Sequence, residues 1–204
     1  MSASFSQSFP LQAAGVHEVC GPAAPAFAAI ACAQHTRGQF LWVRESWQGE
    51  ALNPAGLAPF VDPARILLAH AGRQAESLAV AEEALRHGAL AMVVIEITRP
   101  LDLREGRRLQ LAAGAGDTVG LCIIPEGMGS NAARTRWRAA PVFDSERQDS
   151  TLMRWEIIKN KAGTLGTWHV RFDPKTRSET HRETNRLHVV SPAGNGPGSE
   201  GMPG

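Results

Sequence analysis

The chain has 204 residues, 43% of them hydrophobic and 20% charged, with a formal net charge of +1. That length and apolar fraction suit one domain with a sizeable core. The near-neutral charge excludes a global field for nucleic acid or an anionic membrane, so any basic surface must be local.

The N-terminal stretch "MSASFSQSFPLQ" has no basic region and no long apolar run, so it does not read as a secretory signal. Residues 1–13 are expected to be a flexible N-terminus. The first apolar run, Val16–Val19, leads into Gly21-Pro22, and a small-residue helix with Pro25 in its first turn follows at once. Strand, glycine turn and helix N-terminus form the layout of a phosphate-binding loop, which normally closes with Gly-Lys-Ser/Thr. Counting from Gly21, those three positions hold Ala26, Phe27 and Ala28.

Further apolar runs follow at Phe40–Val43, Arg65–Ala69, Ala91–Ile97 and Val119–Ile124. Runs without polar alternation suit strands covered on both faces. Between them, Ala75, Leu78, Ala81 and Leu85 repeat at helical spacing from Gln74 to His87, and Gly88 stops the pattern. "DLREGRRLQLAA" opens with Asp102 and Glu105, a capping-box pair. It places Leu109, Ala112 and Ala113 on one side and Arg104, Arg107 and Arg108 on the other. Strand and helix alternate, which predicts an α/β fold with a mostly parallel central sheet. After Ile124 the rhythm changes: "TRWRAAPVF", "LMRWEIIKN" and "GTWHVRFD" read as three successive strands, an antiparallel extension at the C-terminal side. From residue 174 the chain turns polar and then rich in Gly, Pro and Ser, so 174–204 is expected to be a flexible tail. Within it "TRSETHRETNRLHVV" ends in Leu187, Val189 and Val190, a segment suited to ordering on a partner. The longest apolar run, "ALAMVVI", is too short to span a bilayer. No membrane association is expected, and the predicted location is cytoplasmic. Cys20, Cys32 and Cys122 lie far apart in apolar settings, with no CxxC and no Cys/His cluster. They read as buried thiols, with no disulfide framework and no metal site.

In this order the pieces resemble the RecA core, and more closely the ImuA family, over residues 14–172. The phosphate loop of RecA proteins also begins Gly-Pro. "FLWVRES" stands where they carry a catalytic glutamate, with Glu45 as its counterpart, and Glu96 stands at the Walker B position. "LDLREGRRLQLAA" looks like an ImuA signature. "GSNAARTRWRAAP" resembles the end of the second RecA DNA-binding loop. "WEIIKNKAGTLGTW" matches a late RecA strand whose lysines, here Lys159 and Lys161, approach ATP across a filament interface. The resemblance implies a three-layer RecA-like domain over 14–173.

Set against that pattern, Gly21, Pro22, Pro25, Ala26, Phe27 and Ala28 make a degenerate phosphate loop. No side chain there can place a cation on a γ-phosphate or a hydroxyl on Mg²⁺, and Pro25 removes a backbone donor. Phosphoryl transfer depends on positioning and charge stabilisation, so the expectation is no ATPase, no catalytic residue and no cofactor. Glu45 and Glu96 then read as polar strand ends. The candidate contact residues are Trp47 in the polar loop "RESWQGEAL", the cluster Arg134, Arg136, Trp137 and Arg138, and Lys159 and Lys161. Each has a plainer reading: a packed loop for Trp47, a solvated turn for the lysines. The two RecA DNA-binding loops are nearly gone, so at most weak DNA contact is expected.

The ImuA resemblance implies a non-catalytic accessory subunit of the SOS-induced mutasome. Its implied partners are an ImuB-like, Y-family-related polymerase subunit, through it an error-prone replicative-type polymerase complex, and RecA itself. Two other functions fit the scaffold: a SulA-like cell-division inhibitor, and a divergent nucleotide-binding ATPase. The ImuA-like helix and the segment after residue 128 favour the first reading over SulA.

Overall fold

The computed structural model describes residues 4–49, 52–144, 151–173 and 187–192. One nine-stranded sheet runs through the molecule. Its strands are β1 (Gly15–Cys20), β2 (Phe40–Glu45), β3 (Ile66–Ala71), β4 (Met92–Glu96), β5 (Val119–Ile123), β6 (Thr135–Pro141), β7 (Thr151–Asn160), β8 (Gly166–Phe172) and β9 (Leu187–Pro192). The spatial order is β3-β2-β4-β5-β1-β6-β7-β8-β9. The first six of these run parallel, and β7, β8 and β9 add antiparallel. The RecA-like α/β fold with its late antiparallel extension is therefore as expected.

The apolar runs become strands because both faces are covered. On one face Phe27, Ile30, Phe40, Trp42, Trp137 and Trp155 build one core cluster under helix α2 (Ala24–Ala33). On the other, Val43, Leu78, Leu85, Ile95, Leu109 and Cys122 build a second beneath α4 (Gln74–His87) and α5 (Leu103–Ala115). The helix punctuation holds. Gly88 takes a left-handed φ of 74° after α4, and the Asp102–Glu105 capping box is fully formed at α5. All three cysteines are buried. Burial pushes the Cys32 thiol up to about 12 and also raises Cys122 and Cys20. No helix among the described residues is long and apolar enough to cross a membrane.

Two expectations are corrected at the chain ends. The segment before β1 is packed, with a single-turn helix α1 (Phe5–Ser8). Phe9 is 3% and Leu11 8% exposed, and Phe9 stacks among Phe5, Phe27, Trp137 and Trp155 with ring centroids 5.0–6.3 Å apart. Helix α2 covers part of the aromatic surface of β6–β8 through Phe27, and these few residues extend that cover to Trp155 and Trp168. At the other end, Leu187–Pro192 forms β9 on the edge of β8, with Leu187 buried opposite Phe172. The open backbone of β8 gives this short stretch a hydrogen-bonding partner within the chain. The rest of the predicted tail lies outside the described residues. A short α3 (Pro54–Leu57) and a single 3-10 turn (Pro63–Arg65) lie between β2 and β3.

Candidate functional site

The loop between β1 and α2 is packed closed against β6. Gly21 adopts φ +94°, and a Cβ there would lie 2.5 Å from the Ala139 carbonyl oxygen, so glycine is required for the approach to β6. Three of the loop's amide donors are already used. Ala23 N–H donates to Ala139 O (3.0 Å), Ala24 N–H to Gly21 O (3.0 Å) and Phe27 N–H to Ala23 O (2.9 Å). Pro22 and Pro25 have no N–H to offer. Phe27, at the lysine position, is fully buried; its ring lies 4.4 Å from Trp155, 5.4 Å from Trp137 and 5.7 Å from Phe9. Ala28, at the hydroxyl position, is buried beside it, and Ala26 packs partly against the same core.

The two carboxylates matched to RecA chemistry are tied to neighbours. Glu45 is 4% exposed and accepts a hydrogen bond from the Thr98 hydroxyl. Glu96 accepts from Trp42 Nε1 (2.8 Å) and pairs with the buried Arg44 (3.2 Å). Gln74, which sequence reasoning missed, secures the same corner. Its amide oxygen accepts from the Thr98 and Arg99 backbones (2.8 Å each), and its Nε2 donates to Arg99 O (3.1 Å). Thr98 and Arg99, in the connection after β4, are thus pinned to the start of α4.

A second cluster holds the segment of residues 130–133 before β6. Glu18, on β1, is 1% exposed. It accepts from Ser130 N–H (2.7 Å) and pairs with Arg136 Nε (2.7 Å). Lys159 Nζ donates to the carbonyls of Ser130 (2.9 Å), Asn131 (3.0 Å) and Ala133 (2.9 Å), and Lys161 Nζ to Ala132 O (2.7 Å). Burial lowers the Lys159 pKa from its ordinary value. The two lysines, implied by resemblance to reach toward ATP and read more plainly as a solvated turn, instead gather the carbonyls of residues 130–133. Glu18 was missed because a buried carboxylate inside an apolar strand leaves no local signal; its partners lie more than a hundred residues away.

The basic-aromatic cluster is corrected. The period-two alternation of a strand puts Trp137 on the face opposite the arginines, and there it is fully buried with its Nε1 donating to Thr135 Oγ1 (2.9 Å). It cannot be a surface contact. The arginines have internal partners. Arg134 donates to the carbonyls of Ala13 (2.9 Å) and Ala14 (3.0 Å), and Arg136 pairs with Glu18. Arg138 pairs with Glu126 (3.0 Å) and Glu156 (3.6 Å). β6 lies inside the sheet, between β1 and β7, so carboxylates from β1 and β7 stand within reach of Arg136 and Arg138, although Arg138 itself remains exposed. Trp47, by contrast, is 65% exposed beyond the end of β2.

Thr135 also begins a relay to the N-terminal segment. Trp137 can only donate, so Thr135 Oγ1 accepts from it and donates its own proton to His17 Nδ1 (2.6 Å). His17 then carries its proton on Nε2 and donates to Gln12 O (3.0 Å). Burial lowers the His17 pKa to about 4; the Gln12 carbonyl opposes this, and the Arg134 cation adds to it. The unfolded chain protonates near the ordinary histidine value of about 6.5, so it binds more protons than the native state between there and about 4. Stability from this site is therefore complete above the unfolded pKa, and about 3 kcal/mol of it is lost as the pH falls to the folded one. Urea unfolding across this range should show the stability difference between wild type and His17→Gln shrinking by that amount. A difference independent of pH would contradict the relay.

No family model matches the chain. Among curated proteins it is similar to "Protein ImuA" of two Caulobacter vibrioides strains, NA1000 / CB15N and ATCC 19089 / CIP 103742 / CB 15. Each is 29% identical over 147 residues, which is 64% of this chain. The chain spans 59% of the length of these curated relatives.

Proposed function

We propose that this chain is a non-catalytic, ImuA-like accessory subunit of an SOS-induced mutasome that supports error-prone translesion synthesis by docking. The observation that carries the reading is Phe27. At the position where a RecA-like ATPase needs a lysine, this chain has a fully buried ring at the centre of an aromatic cluster. The fold keeps the scaffold and uses the loop for packing, which leaves binding as its work. The closed loop weighs against a divergent ATPase, and the similarity to Protein ImuA weighs against a division inhibitor. The docking partner is an ImuB-like, Y-family-related polymerase subunit, and through it an error-prone replicative-type polymerase. A RecA-like protomer without ATP at its junction would also end a head-to-tail RecA assembly instead of extending it. Trp47 is a contact candidate, since exposed tryptophans are frequent binding hot spots. DNA contact is at most weak, because Arg136 is tied to the buried Glu18 and Arg138 already pairs with Glu126 and Glu156.

The test measures the affinity of the full chain for the purified polymerase subunit and for single-stranded DNA, both at physiological ionic strength. The expected result is subunit binding tighter by at least about a hundredfold, about 2.7 kcal/mol. Nanomolar DNA binding with no subunit binding would replace docking by a nucleic-acid role.

A further inference from the structure

Helix α5 buries one side and leaves the other open in an unusual way. Leu109, Ala112 and Ala113 are buried in the core beneath the helix, and Gly106 is buried against the loop at Ser130. On the solvent side Leu103 and Leu111 are 68% and 64% exposed, among the most exposed large apolar side chains described. They lie eight residues apart, about two helical turns or ~12 Å, with Arg107 between them and Arg104 beside them.

The charges along this helix are not equivalent. Arg108 is paired with Glu82 on α4 (2.5 Å), which also holds Arg86 (2.5 Å). Asp102 and Glu105 form the capping box, and Glu105 pairs with Arg99 (2.6 Å). Arg104 and Arg107 have no ion-pair or hydrogen-bond partner among the described residues. The open face thus combines two leucines with two uncompensated guanidinium groups, and its own carboxylates are committed elsewhere.

We infer that this face of α5 is a docking surface for an acidic amphipathic helix of a partner protein. Two apolar anchors two turns apart match the stripe of a facing helix, and unpaired arginines between them select carboxylates flanking that stripe. A second copy of this chain would bring like charges together and is disfavoured. Nucleic acid would pair the arginines but leave both leucines in water. This inference rests on the docking reading, and names the surface and the chemistry of its partner.

Two helix-forming peptides provide the probe. They share one leucine stripe, flanked by glutamates in one and by lysines in the other. Calorimetry with the full-length chain should show the glutamate peptide binding at least tenfold tighter than the lysine peptide, and more weakly as salt rises. Leu103→Ser with Leu111→Ser, and separately Arg104→Glu with Arg107→Glu, should each lower that affinity at least tenfold. All four side chains are exposed, and the melting temperature of each variant checks that it folds; either pair alone suffices. Equal binding of the two peptides, or binding untouched by the substitutions, would overturn the inference. So would loss, in the same variants, of binding to a thymidine oligonucleotide or to phosphatidylglycerol-containing vesicles in place of the peptide. The purified polymerase subunit separates the two levels. If it binds wild type and the leucine variant equally, docking stands and this surface is wrong. If it binds neither while the glutamate peptide remains selective, the surface stands and the polymerase partner is wrong.

Discussion

Restoring the missing phosphate-loop side chains by Phe27→Lys with Ala28→Thr yields a chain that binds no ATP and is several kcal/mol less stable. Phe27 is fully buried among Phe9, Trp137 and Trp155. Removing a buried phenylalanine side chain typically costs about 3–5 kcal/mol. A lysine at that point must also strip water from an ammonium group or give up its proton. The loss is a large share of the ~5–15 kcal/mol that holds an ordinary domain together, and it lowers Tm by roughly 10 °C or more at about 2–4 °C per kcal/mol for a chain of this size. The obstacles beyond the side chains stay in place: Pro22 and Pro25 still lack donors, and Ala23 and Ala24 still donate to Ala139 and Gly21. Scanning calorimetry and ATP titration with Mg²⁺ together decide the matter. Micromolar ATP binding with an unchanged Tm would show that the loop opens more readily than its packing indicates.

Glu18→Ala has an effect of the same order, for a different reason. The substitution leaves Arg136 and the Ser130 amide facing a hole in a nearly dry site, and breaking a buried pair by removing one partner costs about 3–5 kcal/mol. Arg136→Ala strands the Glu18 carboxylate and costs a comparable amount, while the double variant loses much less than the sum of the two. Chemical denaturation of the four proteins gives the coupling directly. Strict additivity would mean that the 2.7 Å contact contributes nothing of its own. The consequence reaches α5. Gly106 lies so close to the Ser130 side chain that a methyl group there would collide with it, so the loop held by Glu18 is part of the seat on which the helix rests. Weakening that seat should also weaken any partner held on the outer face of the helix.

Much of the architecture was legible because burial on both faces writes itself as unbroken apolar runs. Phe40–Val43, Ala91–Ile97 and Val119–Ile124 fall within two residues of β2, β4 and β5. The helix ends were legible for local reasons too, since Asp102, Glu105 and Gly88 act on backbone a few residues away. The chain ends were harder. Phe5, Phe9 and Leu11 are scattered among serines with no period to mark them, and only the exposed aromatic face of a distant sheet makes them useful. Leu187 is likewise placed by an edge strand that its own neighbours in sequence do not reveal. At the candidate site, the lack of a lysine and a hydroxyl at Phe27 and Ala28 could be read directly, but the ring packing of Phe27 could not. Nor could the role of Lys159, because carbonyls as acceptors carry no sequence signature. Trp137 was misjudged by composition alone: it stands among arginines in the chain, but the alternation of the strand sends it the other way.

The aromatic packing also gives the molecule an optical signature. The chain has five tryptophans and no tyrosine, so its near-ultraviolet fluorescence comes from the indoles alone. Trp42, Trp137, Trp155 and Trp168 are at most 5% exposed, and Trp47 is 65% exposed. Four emitters therefore sit in an apolar medium, out of reach of a dissolved quencher, and one stands in water. Trp137 lies with its ring centroid 6.3 Å from Trp155 and 5.9 Å from Trp168, close enough for the electronic transitions of the three to couple. Native packing and access to a single surface position are thus written in separate parts of one spectrum, without any label added.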